Sequence, residues 1–354
     1  MDIKTCTRLL ETVINLESSQ SVALCFAGDP AFAYLLARSV AHVDVFDLHH
    51  SALHTLQRVV KGRAGNMHLH QTPYPPPDGG YDVVIMLADK SREHSRGILW
   101  RAAQSLKDGG AVYIVGESQR ATKTLISDAG DLLDGAQTLT YKWRHRVGVA
   151  YKDSAPVYPS SWGDPPPDAI RPAIYQTPQG AVTVQTQPGV FSWEALDAGT
   201  AYLLRTFDWE RVRGADVLDM GCGVGIIGLM AARHGATVCA VDDNLLAVDC
   251  ARATFDDHGI TAEALAGDVY SALAADRRFD FILCNPPFHR SFDVHTNVAH
   301  RIIKDAPAHL NAGGRLVLVA NAFLKYDELL ADFAEARTTI DEAQKYKIIE
   351  AALR

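Results

Sequence analysis

The 354-residue chain has no Cys-x-x-Cys pair, and its six cysteines (Cys6, Cys25, Cys222, Cys239, Cys250, Cys284) fall at no zinc-binding spacing. That excludes a zinc finger and a disulfide scaffold, and no metal site is expected. The cysteines read as free thiols of a reducing cytoplasm. No apolar run approaches the roughly 20 residues needed to cross a bilayer, so no membrane association is expected. The opening segment MDIKTCTRLLETVINLESSQ lacks a basic cluster followed by an apolar stretch, and no signal peptide is expected. Positive charge is also in short supply: 34 Lys+Arg face 42 Asp+Glu, for a net charge of −8. A polyanionic partner must therefore find local basic clusters. What the chain does have is 47% apolar and 21% charged residues, the balance of a globular protein. Its length suits two domains.

The charge is unevenly shared. Residues 1–155 carry 17 Lys+Arg and 16 Asp+Glu, whereas residues 156–354 carry 17 and 26. A polyanion would prefer the first half, for instance the cluster KWRHR from Lys142 to Arg146. Seven of the sixteen prolines lie between Pro156 and Pro178, which predicts a linker or extended strap over residues 156–180. The domains are thus expected at 1–155 and 181–354.

The two halves share one rhythm. SVALCFAGD matches ADVLDMGCG, HVDVFDLHH matches ATVCAVDDN, YDVVIML matches FDFILC, and LKDGGAVYIVG matches LNAGGRLVLVA. Strands alternating with helices, the last helix expected around Val298–His309, predict a doubly wound, mostly parallel sheet in each half. In such sheets ligands bind beyond the carboxyl ends of the strands.

The second copy carries the polar signals. In LDMGCGVGIIG, Asp219 precedes Gly221, Gly223, Gly225 and Gly228. Glycines admit a ligand close to the backbone at a helix start. GVGIIG also satisfies the dinucleotide pattern. The D-x-G-x-G turn fits S-adenosylmethionine better, since that cofactor has no pyrophosphate and tolerates a carboxylate near its cationic methionine end. Asp242 ends the next strand and suits two ribose hydroxyls, while Asp243 or Asn244 caps the following helix. Asp268 and Val269, in GDV, end the third strand, where a carboxylate can accept from an adenine amine.

FDFILC then stops on Asn285-Pro286-Pro287-Phe288. An exocyclic aromatic amine is a poor nucleophile because its lone pair is delocalised. The Asn285 side-chain oxygen and the Pro286 carbonyl can align its hydrogens and free that pair. The prolines stiffen the corner, and Phe288 offers a stacking face. Cys222, Cys284 and His289 are expected to be bystanders. The first copy has FAGDPAF for its loop and IMLADK at its fourth strand, so only Asp47 survives.

QPGVFSWEALDAGT, VLDMGCGVG, NPPFH and LVANAFLKY resemble the small-subunit ribosomal RNA guanine-N2 methyltransferases of the RsmC type. The resemblance covers the second half almost fully and the first more loosely. It implies two tandem Rossmann-like S-adenosylmethionine methyltransferase domains, the first degenerate. It also implies transfer of a methyl group to the N2 amine of a guanine in 16S ribosomal RNA. By the resemblance, Phe191 and Ser192 border the cofactor, and Asp219, Gly221, Gly223, Asp242, Asp268 and Asn285 line it. The implied partner is ribosomal RNA or the small ribosomal subunit, with no obligatory protein partner evident. Large-subunit ribosomal RNA, adenine and protein glutamine stay open as alternative substrates, since Asn-Pro-Pro-Phe suits each. A nicotinamide-dependent oxidoreductase and an idle RNA-binding protein are the readings outside this chemistry.

Overall fold

The computed structural model describes residues 2–118, 122–287, 295–324, 326–330, 333–341 and 346–353. The chain forms two compact units, Met1–Ala169 with Gln187–Gly189, and Ile170–Thr186 with Val190–Arg354.

In the first unit α1 (Ile3–Leu10) precedes an alternation of β1 (Ser21–Cys25), α2 (Pro30–Ser39), β2 (His42–Phe46), α3 (His50–Val60) and β3 (Met67–His70). β4 (Tyr81–Leu87), α4 (Arg92–Ser105), β5 (Leu106–Glu117), α5 (Thr122–Leu132), β6 (Asp134–Lys142) and β7 (His145–Tyr151) complete it. The sheet order is β3-β2-β1-β4-β5-β7-β6. The first five strands are parallel, and β7 runs antiparallel to both β5 and β6.

The second unit opens with a hairpin of β8 (Arg171–Thr177) and β9 (Gly180–Thr186). α6 (Ala198–Thr206), β10 (Asp216–Met220), α7 (Ile226–Arg233), β11 (Thr237–Asp242), α8 (Leu245–Asp257), β12 (Glu263–Ala266) and β13 (Phe279–Cys284) follow. α9 (His295–Asp305), β14 (Leu310–Asn321), β15 (Phe333–Asp341) and β16 (Tyr346–Leu353) end it. Its order, β12-β11-β10-β13-β14-β16-β15, repeats that of the first sheet strand for strand.

The duplication extends to single hydrogen bonds. Asp82 on β4 accepts from the Ser21 amide at 2.7 Å, and Asp280 on β13 accepts from the Asp216 amide at 2.9 Å. Each acid takes a second donor from the next strand, Lys107 in one copy and Asn311 in the other. The central strands read as continuous apolar runs because helices cover both faces. Val217, Leu218, Ile282, Leu283, Leu316 and Val317 are wholly buried.

Two local expectations shift. The proline-rich stretch is partly a strand, because β8 pairs only with β9 and an edge tolerates Pro172. The helix expected near Val298–His309 ends at Asp305, and a 3-10 turn covers Ala306–His309, since Pro307 disfavours helical geometry in the residue before it.

Candidate active site

β10 leads one way to β11 and β12, while β13 pairs on its other side. A crevice opens where the order of a doubly wound sheet reverses. Here it is an open hollow lined by Tyr175, Phe191, Ser192, Asp197, Thr200, Gly221 to Val224, Ile226, Ile227 and Asn285. The glycine loop thus faces the Asn285 corner, as the sequence expects.

Gly221 and Gly223 have φ of +73° and +54°, and a Cβ on either would meet nothing within 4 Å among the described residues. The loop is glycine-rich for its backbone conformation and for the open space above it. Gly225 precedes α7 and has no side chain to cap it, and Asp219 takes the Gly228 amide from behind, so the Ile226 and Ile227 amides lie at the end shared with the hollow. Asp242 braces the loop from below. Its two oxygens accept from the Gly223 amide at 2.9 Å and the Asn244 amide at 2.8 Å. Asn244, rather than Asp243, caps α8, accepting from Leu246 and Ala247. Asp243 lies close enough to Arg301 to reinforce its charge.

Asp219 differs from expectation. It is wholly buried and absent from the lining of the hollow, so it does not face a ligand's cationic end. Its Oδ2 accepts from the Gly228 amide at 2.8 Å. A Cβ at Gly228 would stand 3.2 Å from that oxygen, so the missing side chain is what lets the two approach. Asp219 holds the loop from behind. Burial pushes its carboxyl up to about 7, and the Asp242 charge adds to the rise.

Asp268 also has a different setting. Both its oxygens accept from the Arg301 guanidinium, at 2.9 and 3.0 Å, so any adenine contact must share the carboxylate with that pair. Val269 follows with φ of +56°, a costly conformation for a β-branched residue. Its side chain is buried in the core instead of facing the hollow.

Asn285 is partly buried and its amide orientation is fixed by chemistry. Nδ2 donates to Asp197 Oδ2 at 3.0 Å and to Thr200 Oγ1 at 2.8 Å. A flipped amide would set its oxygen against the Asp197 carboxylate, so Oδ1 is the atom left for a substrate's donor. Asp197 has no glycine-loop or Asn-Pro-Pro signature and escapes sequence reasoning. The one clue is its place as N-cap of α6, where the same Oδ2 accepts from the Thr200 amide at 3.0 Å. Tyr175 is a second unforeseen residue. Its hydroxyl donates to the Ser192 carbonyl at 2.7 Å and anchors a residue strained at φ of +53°. Phe191 beside it is 59% exposed, an apolar face open to a ligand. Pro286 is buried, and Phe288 and His289 lie outside the described residues. Burial and the nearby acids push the Cys222 and Cys284 thiols well up, so neither supplies a thiolate nucleophile.

The equivalent corner of the first unit is filled. Sheet register aligns Cys25 with Met86 and Met220 with Cys284, so Leu87 stands where Asn285 stands. Asp47 keeps its clamp on the Ala27 and His49 amides. α2, however, is capped by Asp29 and begins with Pro30, while the stacked rings of Phe26 and Phe32 lie buried beside it. α1 closes the loop from outside. Thr7 donates to Asp29 at 2.7 Å, and the Ile3 side chain fills the space a Cβ on Gly28 would need.

Residues 181–350 match the methyltransferase small domain family. A ribosomal RNA small subunit methyltransferase C of Yersinia enterocolitica is 30% identical over 96% of this chain and 94% of its own length. Its counterpart in Yersinia pseudotuberculosis is 31% identical over 77% of this chain and 75% of its own. The chain belongs to the ribosomal RNA small subunit methyltransferase C family. A solved member of that family, the Thermus thermophilus 16S rRNA N2 G1207 methyltransferase in complex with AdoMet and guanosine, superposes with a TM-score of 0.83 at 27% identity. The match covers 99% of this chain and 92% of that one, so the tandem doubly wound architecture is the family's own.

Proposed function

We propose that this protein methylates the exocyclic N2 amine of a guanine in 16S ribosomal RNA with S-adenosylmethionine as donor. The carrying observation is the Asn285 amide, held by Asp197 and Thr200 with its oxygen free to accept from an amine, opposite an open glycine loop. Full-length similarity to the T. thermophilus enzyme supports the choice of guanine N2.

The residues present fit the cofactor. The hollow is open to solvent, and the space above Gly221 and Gly223 is a cradle that side chains would obstruct. Asp242 braces the loop with both oxygens and, in this reading, accepts from the ribose hydroxyls with its remaining lone pairs. Phe191 and Ser192 border the site, and the first amides of α7, at Ile226 and Ile227, suit the methionine carboxylate. In this reading the adenine meets Asp268 and the Val269 backbone, and Asp243 adjoins the ribose acid. The bound cofactor supplies a methyl group on a cationic sulfur. The chain orients the amine: Asn285 Oδ1 and the Pro286 carbonyl accept its two hydrogens, which turns the nitrogen lone pair out of the ring plane. Phe288 stacks on the base. No cysteine nucleophile is needed for an exocyclic amine.

Ribosomal RNA, free or within the small subunit, is the partner in this reading, with no obligatory protein partner. The cytoplasm is the site of action in this reading, in keeping with six buried cysteines that form no disulfide. Mass spectrometry of nuclease-digested ribosomal RNA after incubation with protein and labelled S-adenosylmethionine tests the proposal. Labelled N2-methylguanosine is expected. Label on adenosine, on another guanine position or on protein alone overturns it.

A further inference from the structure

β6 and β7 pair Lys142 with His145, which leaves Trp143 and Arg144 as a two-residue loop. Both have positive φ, 53° and 62°. A loop of this type favours Asn-Gly, because other side chains are strained there. A tryptophan and an arginine in these two places strain the turn. Such strain persists where the surroundings hold it. The His145 ring donates to the Trp143 carbonyl at 2.7 Å, and the Ser118 amide donates to the Arg144 carbonyl at 2.8 Å.

The strained turn presents aromatic and cationic groups to solvent. Tyr141 is 58% and Trp143 43% exposed. Arg8 and Lys142 lie 4.8 and 4.6 Å from the Trp143 ring centre, and Arg146 lies 5.1 Å from that of Tyr141. The rings hold these cations in place beforehand, so less freedom is lost when they meet phosphates. Rings and guanidinium planes together stack unpaired bases. In a chain of net charge −8, five residues from Lys142 to Arg146 carry three cations and no acid.

We propose that this hairpin tip binds a single-stranded segment of the RNA substrate. The inference rests on the reading of the chain as an RNA methyltransferase, and it assigns RNA docking to a unit with no cofactor site. Two variants of the full-length protein test it. Lys142→Glu/Arg144→Glu/Arg146→Glu removes the charge. Trp143→Asn/Arg144→Gly installs the relaxed turn, so it folds at least as well as the native chain while deleting the ring and a cation.

Binding of a labelled single-stranded RNA oligonucleotide is measured by anisotropy across a salt series, alongside the KM for ribosomal RNA. The triple variant is expected to bind at least about tenfold more weakly, and its log-affinity against log-salt slope flattens by about 2. The relaxed-turn variant is expected to melt at a higher temperature, yet bind RNA about fivefold more weakly. Affinity for S-adenosylmethionine is unchanged in both. Undiminished RNA affinity in both variants overturns the proposal and leaves a protein contact as the hairpin's use. Oligonucleotide binding is read without methyl transfer. A native protein that binds RNA through the hairpin but methylates no guanine therefore sinks the proposed function alone.

Discussion

Asn285 and Asp197 form one unit at the residue scale. Asn285→Ala should keep cofactor binding and lower methyl transfer by at least about 100-fold, the usual cost of one preorganised hydrogen-bond partner. Activity within a few-fold of the native enzyme would remove Asn285 from the chemistry. Asn285→Asp should be no better, although it supplies an acceptor. Its carboxylate would lie where Nδ2 now meets Asp197 Oδ2 at 3.0 Å, and two carboxylates at that distance cannot both ionise. Adding Asp197→Asn removes the facing charge, so the double variant should recover part of the activity lost in Asn285→Asp, held back because an Nδ2 in the Oδ2 position no longer accepts from the Thr200 amide. Steady-state kinetics that show no recovery would mean the amide lock does not orient Asn285. Asp219 gives a pH signature. Its folded pKa, about 7, stands above the ordinary 3.8, so the native state holds the proton more tightly than the unfolded chain. Stability is therefore lost as pH rises from about 4 to about 7. Asp219→Asn keeps an oxygen for the Gly228 amide and removes the ionisation. Its stability relative to the native protein should rise across that window, by at most about 4 kcal/mol. Equal urea midpoint differences at pH 5 and pH 8 would contradict this.

At the scale of elements, the sequence shows what is periodic or punctuated and hides what is distant. The two doubly wound sheets and the loop–corner pairing follow from apolar runs that end in glycine, acid or Asn-Pro-Pro, whereas the strand order is read only from the structure. Asp197 was not legible, because its bond to Asn285 spans 88 residues and leaves no mark on local pattern. The orientation of Asp219 was hidden for a related reason: a buried and an exposed acid are spelled alike, and only Gly228, nine residues on, lets the carboxylate turn inward. The β8–β9 hairpin was masked by proline, and the Trp143-Arg144 turn by residues that do not usually build one. The α4–α5 contact in the first unit shows the same blindness and yields a prediction. Asp128 on α5 is 2% exposed and accepts two hydrogen bonds from each of Arg92 and Arg96 on α4. Burial pushes its carboxyl up, yet the two guanidiniums outweigh burial and hold it below the usual range. Its contribution is then present above pH 4 and is lost as pH falls through the folded pKa. Asp128→Asn should cost about 2 kcal/mol at pH 7, less than a fully buried pair because both arginines are part-exposed. The loss should shrink below pH 4, as read by denaturant midpoints; a pH-independent loss would assign it to packing.

The whole molecule uses one fold twice and one site once. Duplication preserves the strand order, the Asp82 and Asp280 braces and the Asp47 and Asp242 clamps. These are the features that hold a sheet and its loops together. What differs lies above the loop. The second copy leaves space over Gly221 and Gly223, while the first places Ile3 against Gly28, caps α2 with Asp29 and sets Leu87 where Asn285 belongs. A shared fold with an obstructed loop predicts a stoichiometry of one S-adenosylmethionine per chain, measured by equilibrium dialysis or calorimetry on the full-length protein. The sharper test alters each clamp in turn. Asp242→Ala removes two backbone bonds and the ribose acceptor, so binding should weaken by at least about tenfold. Asp47→Ala removes the same two backbone bonds from a loop that holds no ligand, so stability should fall while cofactor affinity stays the same. Two sites per chain, or cofactor affinity lost on Asp47→Ala, would show that the first copy retained a ligand and that the packing of Ile3, Phe26 and Phe32 opens to admit it.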